Sequence, residues 1–191
     1  AATAWPIAAA LSPDGGSLAV LAASEEGGQL RLFSLSSEEE LARFTAPGEV
    51  FFDLGWTDGG LCLVSDSRAV FLDASCALTG ERAFGSERLA DYAIDGGCTV
   101  LALSGRDGTR LVSLDAAGEE LGSMSTPRAL RSLDVQKGKI AVLYSDGAAV
   151  YNKNLTERGE SMEASGAAAL LLRADGETVA VFTGMAKFGL V

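Results

Sequence analysis

Residues 8–22 read AAALSPDGGSLAVLA, an apolar run, a tight glycine turn and a second apolar run. Four later segments repeat this order: FFDLGWTDGGLCLVS at 51–65, LADYAIDGGCTVLALS at 89–104, LRSLDVQKGKIAVLYS at 130–145 and AALLLRADGETVAVFT at 168–183. Their turn glycines lie 37 to 44 residues apart. Asp-Gly and Gly-Gly turns between apolar runs indicate β-hairpins. A recurrence near forty residues indicates a repeated sheet unit.

Each copy continues past its hairpin with a third apolar strand and a charged fourth strand. In the fourth copy, Ser145-Asp146-Gly147 is followed by an apolar run to Tyr151 and then by the charged segment 159–163. The second copy has the same order, and Ser65-Asp66 matches Ser145-Asp146 at a separation of 80 residues. Because an outer strand exposes unpaired backbone groups, charges there protect it from pairing with other chains.

The predicted fold class is therefore all-β, a β-propeller-type array of about five four-stranded antiparallel blades. We expect a single domain over residues 1–191, with blades near 5–49, 50–87, 88–128, 129–165 and 166–191. Two arrangements are open at this stage. Residues 1–4 close the last blade of a five-bladed ring, or the chain is part of a larger propeller.

The first hairpin, LSPDGGSLAV at residues 11–20, resembles the SPDG hairpin of the WD-repeat-like bacterial β-propellers, including the TolB-like propellers. Later copies carry WTDGG, AIDGG, QKG and RADGE at the turn. The resemblance implies a blade architecture and transfers no catalytic or binding residue. Together with the acidic composition, it also implies an extracytoplasmic location, with the protein secreted or anchored by a segment that precedes residue 1.

Composition excludes several functional classes. The chain has no histidine and a net charge of −11, from 15 basic and 26 acidic side chains. Ser-His-Asp and Cys-His catalysis is therefore excluded, and the commonest transition-metal ligand is missing. No Lys/Arg cluster is visible along the sequence, so we expect no nucleic-acid partner. We also expect no cofactor, no metal, no membrane insertion, and burial of Cys62 and Cys98 as small hydrophobic residues.

Three aspartates of the predicted first strands are the candidate chemical groups: Asp53, Asp91 and Asp134. First strands line the central channel of a propeller, where carboxylates bind ligands or act as an acid–base pair. Trp56 and Tyr92 are candidate aromatic contacts at the channel mouth, and Arg131 is a candidate for gripping an acidic group. Packing and hairpin roles are the alternative interpretation of these residues.

These observations favour a non-catalytic binding or scaffold module that docks a protein or a small polar ligand on a propeller face. The alternative is a carboxylate-dependent glycosidase or lyase with its site in the central channel, using the three aspartates and Arg131. A lectin-like domain would show near-identical residues on one face of every blade, and the sequence copies do not display them. Self-association through the terminal blades is expected where an open array leaves apolar faces uncovered.

Overall fold

The computed structural model describes residues 4–183 and 188–190, which form an all-β structure. This part of the chain contains four four-stranded antiparallel sheets and one three-stranded antiparallel sheet. Its helical content is limited to one 3-10 turn at Met162–Ala164. The prediction of an all-β chain of repeated antiparallel sheets is confirmed. Residues 1–3, part of the 1–4 segment expected to close the last blade, lie outside the described residues.

The strands pair in chain order, so each sheet is a simple meander. Sheet 1 contains β1 (Trp5–Leu11), β2 (Ser17–Ser24), β3 (Gly27–Ser34) and β4 (Glu40–Pro47). Sheet 2 contains β5 (Asp53–Thr57), β6 (Gly60–Val64), β7 (Arg68–Leu72) and β8 (Leu78–Ala83). Sheet 3 contains β9 (Arg88–Asp95), β10 (Cys98–Gly105), β11 (Gly108–Leu114) and β12 (Glu120–Thr126). Sheet 4 contains β13 (Leu130–Gln136), β14 (Lys139–Tyr144), β15 (Gly147–Asn152) and β16 (Glu157–Ser161). Sheet 5 contains β17 (Ala169–Leu172), β18 (Val179–Phe182) and β19 (Phe188–Leu190).

The chain divides into two compact units. Unit 1 contains sheets 1 and 2 together with Ala116–Gly118, and unit 2 contains sheets 3, 4 and 5. Within unit 1, β1 contacts β5. Within unit 2, β9 contacts β13, and β13 contacts β17. The first strands of consecutive sheets are therefore neighbours inside each unit.

Burial changes from strand to strand in the way that the residue pattern predicts. In sheet 2, every residue of β6 is buried, whereas most residues of β8 are exposed. In sheet 4, β14 and β16 show the same contrast. The third strand of sheet 2, β7, is almost fully buried as well. Both of its faces are covered, because Val70 joins the hydrophobic core and Phe71 packs against Gly118 of the same unit.

Hydrophobic clusters hold the sheets of each unit together. The cluster of unit 1 includes Leu21, Leu30, Phe51 and Leu63, which come from both of its sheets and the segment between them. In unit 2, one cluster joins sheets 3 and 4, and a second joins sheets 4 and 5. The three cysteines are buried, so the predicted burial of Cys62 and Cys98 is confirmed. Such thiols pack as small hydrophobic side chains.

Strand pairing corrects one sequence alignment. The first hairpin of sheet 2 closes with Thr57 opposite Gly60, and that of sheet 4 closes with Gln136 opposite Lys139, an offset of 79 residues rather than 80. Ser65 therefore corresponds to Tyr144, not to Ser145. The next hairpin turn has Asp66-Ser67 at its centre in sheet 2 and Ser145-Asp146 at its centre in sheet 4. The Ser-Asp dipeptide that both sheets share therefore occupies positions that differ by one residue in the strand register.

Two glycines on outer strands permit close backbone packing inside each unit. A Cβ atom on Gly80 of β8 would lie 2.1 Å from the carbonyl oxygen of Ala117. In unit 2, a Cβ atom on Gly122 of β12 would lie 2.6 Å from the carbonyl oxygen of Asn154. Gly80 and Gly122 are equivalent in register, opposite Phe71 and Ser113. A side chain at either position would collide with a neighbouring turn.

Candidate functional site

The six candidate residues from the sequence lie on first strands of both units. They are Asp53 and Trp56 on β5 in unit 1, and Asp91, Tyr92, Arg131 and Asp134 on β9 and β13 in unit 2. The structure thus places four of the six on two neighbouring strands.

Asp91 is half-buried, and both of its carboxylate oxygens accept backbone hydrogen bonds. The N–H of Tyr92 donates to Oδ1 at 2.9 Å, and the N–H of Leu133, on the next sheet, donates to Oδ2 at 2.8 Å. Burial raises the pKa of Asp91 above its ordinary value, the two N–H groups oppose the shift, and the charge of Asp134 adds to it. Asp91 therefore links sheets 3 and 4 through their backbones.

Asp134 makes the same type of link one sheet later. The N–H of Val135 donates to Oδ1 at 2.8 Å, and the N–H of Leu172, on β17, donates to Oδ2 at 2.7 Å. The two aspartates are not equivalent in register, since Asp91 lies opposite Ala102 and Asp134 lies two residues closer to the first hairpin turn. Their shared role is to join first strands of consecutive sheets.

In unit 1, Asp53 occupies the register position of Asp91, and its Oδ1 accepts the N–H of Leu54 at 2.8 Å. Trp56 is half-buried and packs against the hydrophobic core. Its indole N–H donates to the carbonyl oxygen of Ala10 at 3.2 Å, which joins sheet 2 to sheet 1. This is the packing role that the sequence left open as an alternative to ligand contact.

Arg131 and Tyr92 complete the candidate set. Arg131 is exposed at the bulge of β13, between the paired residues Leu130 and Ser132. Tyr92 is half-buried on β9, opposite Leu101. Among these residues, Arg131 is the one whose side chain is open to solvent, and bulges often redirect a side chain in this way.

Sequence reasoning missed a salt bridge in sheet 2. Glu49, in the segment before β5, accepts hydrogen bonds from Arg68 Nη2 at 2.5 Å and from Ser65 Oγ at 2.7 Å. Arg68 also donates from Nη1 to Glu81 Oε2 at 2.6 Å. Burial opposes ionisation of Glu49, but the hydrogen bonds from Arg68 and the neighbouring serines outweigh it and lower its pKa. Arg68 thus joins the entry segment to the third and fourth strands.

Sheet 3 contains the equivalent pair. Arg110 Nε donates to both carboxylate oxygens of Glu87 at 3.1 Å. Glu87 precedes Asp91 by four residues, as Glu49 precedes Asp53. Arg110 lies four residues before Leu114, as Arg68 does before Leu72. The paired Glu-x-x-x-Asp spacing was the sequence signal that could have revealed these salt bridges.

Each of these two pairs lines a cavity at the corresponding end of its own sheet. The cavity of sheet 2 has a volume of about 640 Å³, and its wall combines Glu49, Arg68 and Ser67 with the exposed apolar residues Val50 and Phe52. The cavity of sheet 3 has a volume of about 540 Å³, and Glu87 and Arg110 form part of its wall. Sites that bind small molecules have similar volumes, and the sheet 2 cavity also has their combination of apolar walls with a few polar groups.

In sheet 4 the arginine is in the entry segment instead. Arg128 donates from Nε to Asp146 Oδ1 at 2.9 Å and from Nη1 to Glu160 Oε1 at 2.7 Å. Its guanidinium carbon lies 4.1 Å from the centre of the Tyr144 ring, a cation–π contact. The hydrogen bond from Arg128 lowers the pKa of Asp146.

The structure corrects the expectation that no cluster of basic residues exists. Turns of sheet 4 bring together Lys137, Lys139, Lys153 and Arg158 along a cleft of about 790 Å³ that sheet 5 completes. These residues span 22 positions of sequence, so a linear scan does not detect them as a cluster.

Within residues 4–183 and 188–190, no group of three or more Cys, Asp or Glu side chains could hold a metal ion. No helix of that part of the chain is long and apolar enough to cross a membrane. No protein-family model matches the chain, and no curated protein matches it.

Proposed function

We propose that the five sheets are blades of a β-propeller-type array and that the chain is a non-catalytic binding or scaffold module. The five sequence copies and the adjacent first strands inside each unit support the propeller arrangement. The meander topology that the sheets share also supports this arrangement, because propeller blades have the same topology. A fold of this kind serves many functions, so the binding role rests on a site.

The observation that carries the binding role is the pair of equivalent cavities at the Glu49–Arg68 and Glu87–Arg110 salt bridges. In sheet 2, Arg68 is held by hydrogen bonds to Glu49 and Glu81. In sheet 3, Arg110 is held by hydrogen bonds to Glu87, so both walls are preorganised. A preorganised wall reduces the conformational entropy that a ligand must remove on binding.

The cavity of sheet 2 is the proposed docking site for a protein partner. Val50 and Phe52 are about half exposed, and they adjoin the polar rim formed by Ser67 and Arg68. An apolar centre with a hydrogen-bonding rim is the usual composition of a protein interface. A partner would insert an apolar side chain between Val50 and Phe52 and make hydrogen bonds at the rim.

The test compares immobilised wild-type protein with Phe52→Asp and with Leu41→Asp, a matched change at an exposed apolar residue of β4. We expect the wild type and Leu41→Asp to retain the same protein partner at micromolar concentration. Phe52→Asp should capture more than about tenfold less of that partner. Circular dichroism checks that both variants fold. Equal capture by all three proteins would refute the docking site, and no capture by the wild type would refute the binding role.

The carboxylate enzyme is a second candidate, because Asp91 has a raised pKa near the charge of Asp134. A raised pKa suits a general acid. Against this role, the oxygens of both aspartates accept backbone N–H groups, as a structural link requires. Turnover of a glycoside that is lost in Asp134→Asn, with the unfolding midpoint unchanged, would favour the enzyme over the binding module.

Self-association through the terminal sheets is part of the proposal. On β1, Trp5, Ile7 and Leu11 are exposed, and a bulge between Pro6 and Ala8 interrupts the alternation of the strand. Exposed apolar side chains on the first strand of an open array favour contact with a second copy of the chain. Sedimentation velocity should show a concentration-dependent dimer that is lost in an Ile7→Ser, Leu11→Ser variant. A wild-type monomer at all concentrations would contradict it.

We also propose an extracytoplasmic location, which rests on the resemblance of the first hairpin and on the acidic composition. Cell fractionation of the native protein tests it. Recovery in the cytoplasmic fraction would overturn this assignment without affecting the binding site.

A further inference from the structure

The cleft between sheets 4 and 5 concentrates positive charge in an acidic protein. Three of the four lysines of the chain line it, together with Arg158. One carboxylate, Glu177, is also in its wall. The remainder of the chain carries a formal charge of −14, because the total of −11 includes +3 from these five side chains. A random distribution of so few lysines would not place three of them in one cleft.

The hairpin turns of sheet 4 explain how these cations meet. Lys137 and Lys139 belong to the turn that joins β13 to β14, and Lys153 belongs to the turn that joins β15 to β16. Both turns lie at the same end of the sheet, where Lys139 pairs with Asn152. The lysines therefore approach from two turns, and Arg158 approaches from the outer strand.

Backbone contacts fix the stems of two of the lysines. A Cβ atom on Gly176, in the turn of sheet 5, would lie 3.4 Å from Cβ of Lys137. A Cβ atom on Gly138 would lie 3.7 Å from Cβ of Lys153. Lys137 has a φ of 51°, and its N–H donates to Asp95 Oδ2 at 2.6 Å, which anchors the turn. The turns thus place the Cβ atoms of both lysines against neighbouring turn glycines, whereas the side chains are exposed to solvent.

Neighbouring acids do not neutralise these cations. Within the described residues, none of the four has a carboxylate oxygen within 4.0 Å, and none donates a side-chain hydrogen bond. Among the other arginines of the described residues, Arg88, Arg106 and Arg131 also lack such a partner. Others have one: Arg31, Arg43, Arg68, Arg110, Arg128 and Arg173. What distinguishes the cleft is that four cations without an ion-pair partner line one wall, where their summed positive potential attracts an anion.

We propose that this cleft binds a compact polyanion, a small molecule that carries two or more phosphate or sulfate groups. Lysine ammonium groups bind phosphate as point charges, and the arginine adds a planar hydrogen-bonding fork. The cavity volume of about 790 Å³ suits a molecule of cofactor size. A long polyanion is disfavoured, because it would extend from the cleft over the acidic remainder of the surface. The site shares no residue with the docking cavity of sheet 2 and does not depend on it.

Isothermal titration calorimetry with tripolyphosphate tests the proposal at low and moderate salt. The cleft variant is Lys139→Gln with Lys153→Gln, and a second, milder variant is Arg158→Gln. The matched control is Arg88→Gln, which removes one exposed arginine outside the cleft, as Arg158→Gln removes one inside it. Thermal unfolding without ligand checks that every variant is folded. Sucrose octasulfate and citrate distinguish sulfate and carboxylate anions from phosphate, and a 20-base-pair DNA duplex supplies the long polyanion.

We expect tripolyphosphate to bind the wild type and the control equally, with affinity falling about tenfold or more in the cleft variant and severalfold in Arg158→Gln. The affinity should also fall as salt rises. No binding at 1 mM, or equal binding by the cleft variant and the control, would overturn the site. Citrate binding as tightly as tripolyphosphate, or the duplex binding more tightly through the same residues, would overturn the assignment to a compact phosphate- or sulfate-bearing molecule.

Discussion

Sheets 2 and 4 both hold one arginine between two carboxylates, but the arginine comes from a different strand in each. In sheet 2 it is Arg68 on the third strand, and one carboxylate comes from the segment that precedes the first strand. In sheet 4 it is Arg128 in the segment before the first strand, and one carboxylate comes from a turn. The other carboxylates, Glu81 and Glu160, occupy equivalent positions on the fourth strands.

The register position at the C-terminal end of the second strand carries a different residue in the two sheets, and each residue suits the charge that faces it. Sheet 2 has Ser65, whose hydroxyl donates to Glu49 at 2.7 Å. Sheet 4 has Tyr144 at the equivalent position, and its ring faces the guanidinium of Arg128. A hydroxyl group suits a carboxylate, and the electron-rich face of a ring suits a cation. The comparison teaches that the charge pattern of a sheet is matched to the buried residue beneath it.

The largest effect on stability should come from replacing Tyr144 of sheet 4 by serine, the residue that sheet 2 has at the equivalent position. Tyr144→Ser removes a fully buried aromatic side chain and should lower the free energy of unfolding by ~3–5 kcal/mol. The control Tyr144→Phe keeps the ring and loses the hydroxyl contact with Tyr151, at a cost of about 1 kcal/mol. Urea unfolding measures both. A Tyr144→Phe cost as large as that of Tyr144→Ser would show that the hydroxyl, not the ring, is essential.

Two equivalent glycines on the fourth strands allow the packing around sheets 2 and 4 to be compared. Gly80→Ala in sheet 2 drives a methyl group into the carbonyl oxygen of Ala117 and should cost ~1–3 kcal/mol or more. Gly159 is the equivalent residue in sheet 4, and among the described atoms nothing lies within 4 Å of a Cβ atom placed there. Gly159→Ala should change stability by less than about 0.5 kcal/mol. Equal costs in thermal unfolding would contradict the packing of the Ala116–Gly118 segment on β8.

Replacing each arginine by methionine tests the charge placement itself. Arg68→Met leaves Glu49, whose side chain is 18% exposed, without its cation and should cost ~1–2 kcal/mol at pH 7. Arg128→Met leaves Asp146 and Glu160 without their cation, but both are more exposed than Glu49. The methionine also keeps apolar contact with Tyr144, so the cost should be ~1 kcal/mol or less. The cost of Arg68→Met should shrink as the pH falls through the lowered pKa of Glu49, because a protonated Glu49 needs no cation. Urea unfolding over a series of pH values from 7 downward measures this, and a pH-independent cost would contradict it.

Local patterns predicted the strands and the turns, because alternating burial and glycine turns are encoded over a few residues. The buried second strand 140–144 and the turn Gln136–Lys139 appear in the structure as the sequence suggested. The one-residue alignment error arose because Ser-Asp occurs in both turns at different places. Similarity of letters at a turn does not define pairing register, since register is set by the buried face of the strand.

The candidate sites were harder to predict because strand pairing creates them. Glu49 and Arg68 are 19 residues apart, and neither is unusual in its own segment. Lys139 and Lys153 become neighbours through the pairing of Lys139 with Asn152. The sequence singled out the first-strand aspartates as candidate chemical groups, but sequence alone could not reveal that Asp91 and Asp134 accept backbone N–H groups from the next sheet.

The smallest effect should be seen in stability at acid pH, and it reports on the carboxylate of Glu49 alone. The pKa of Glu49 is lowered in the folded protein, so its contribution is present above the unfolded pKa near 4.5 and is lost as pH falls through the folded value. Glu49→Gln should therefore cost less than about 1 kcal/mol at pH 7, and its difference from the wild type should narrow between about pH 5 and pH 3. Urea midpoints across this range measure the difference. A gap that stays constant down to pH 3 would show that the salt bridge with Arg68 is not what Glu49 contributes, because only an ionised carboxylate can attract the guanidinium.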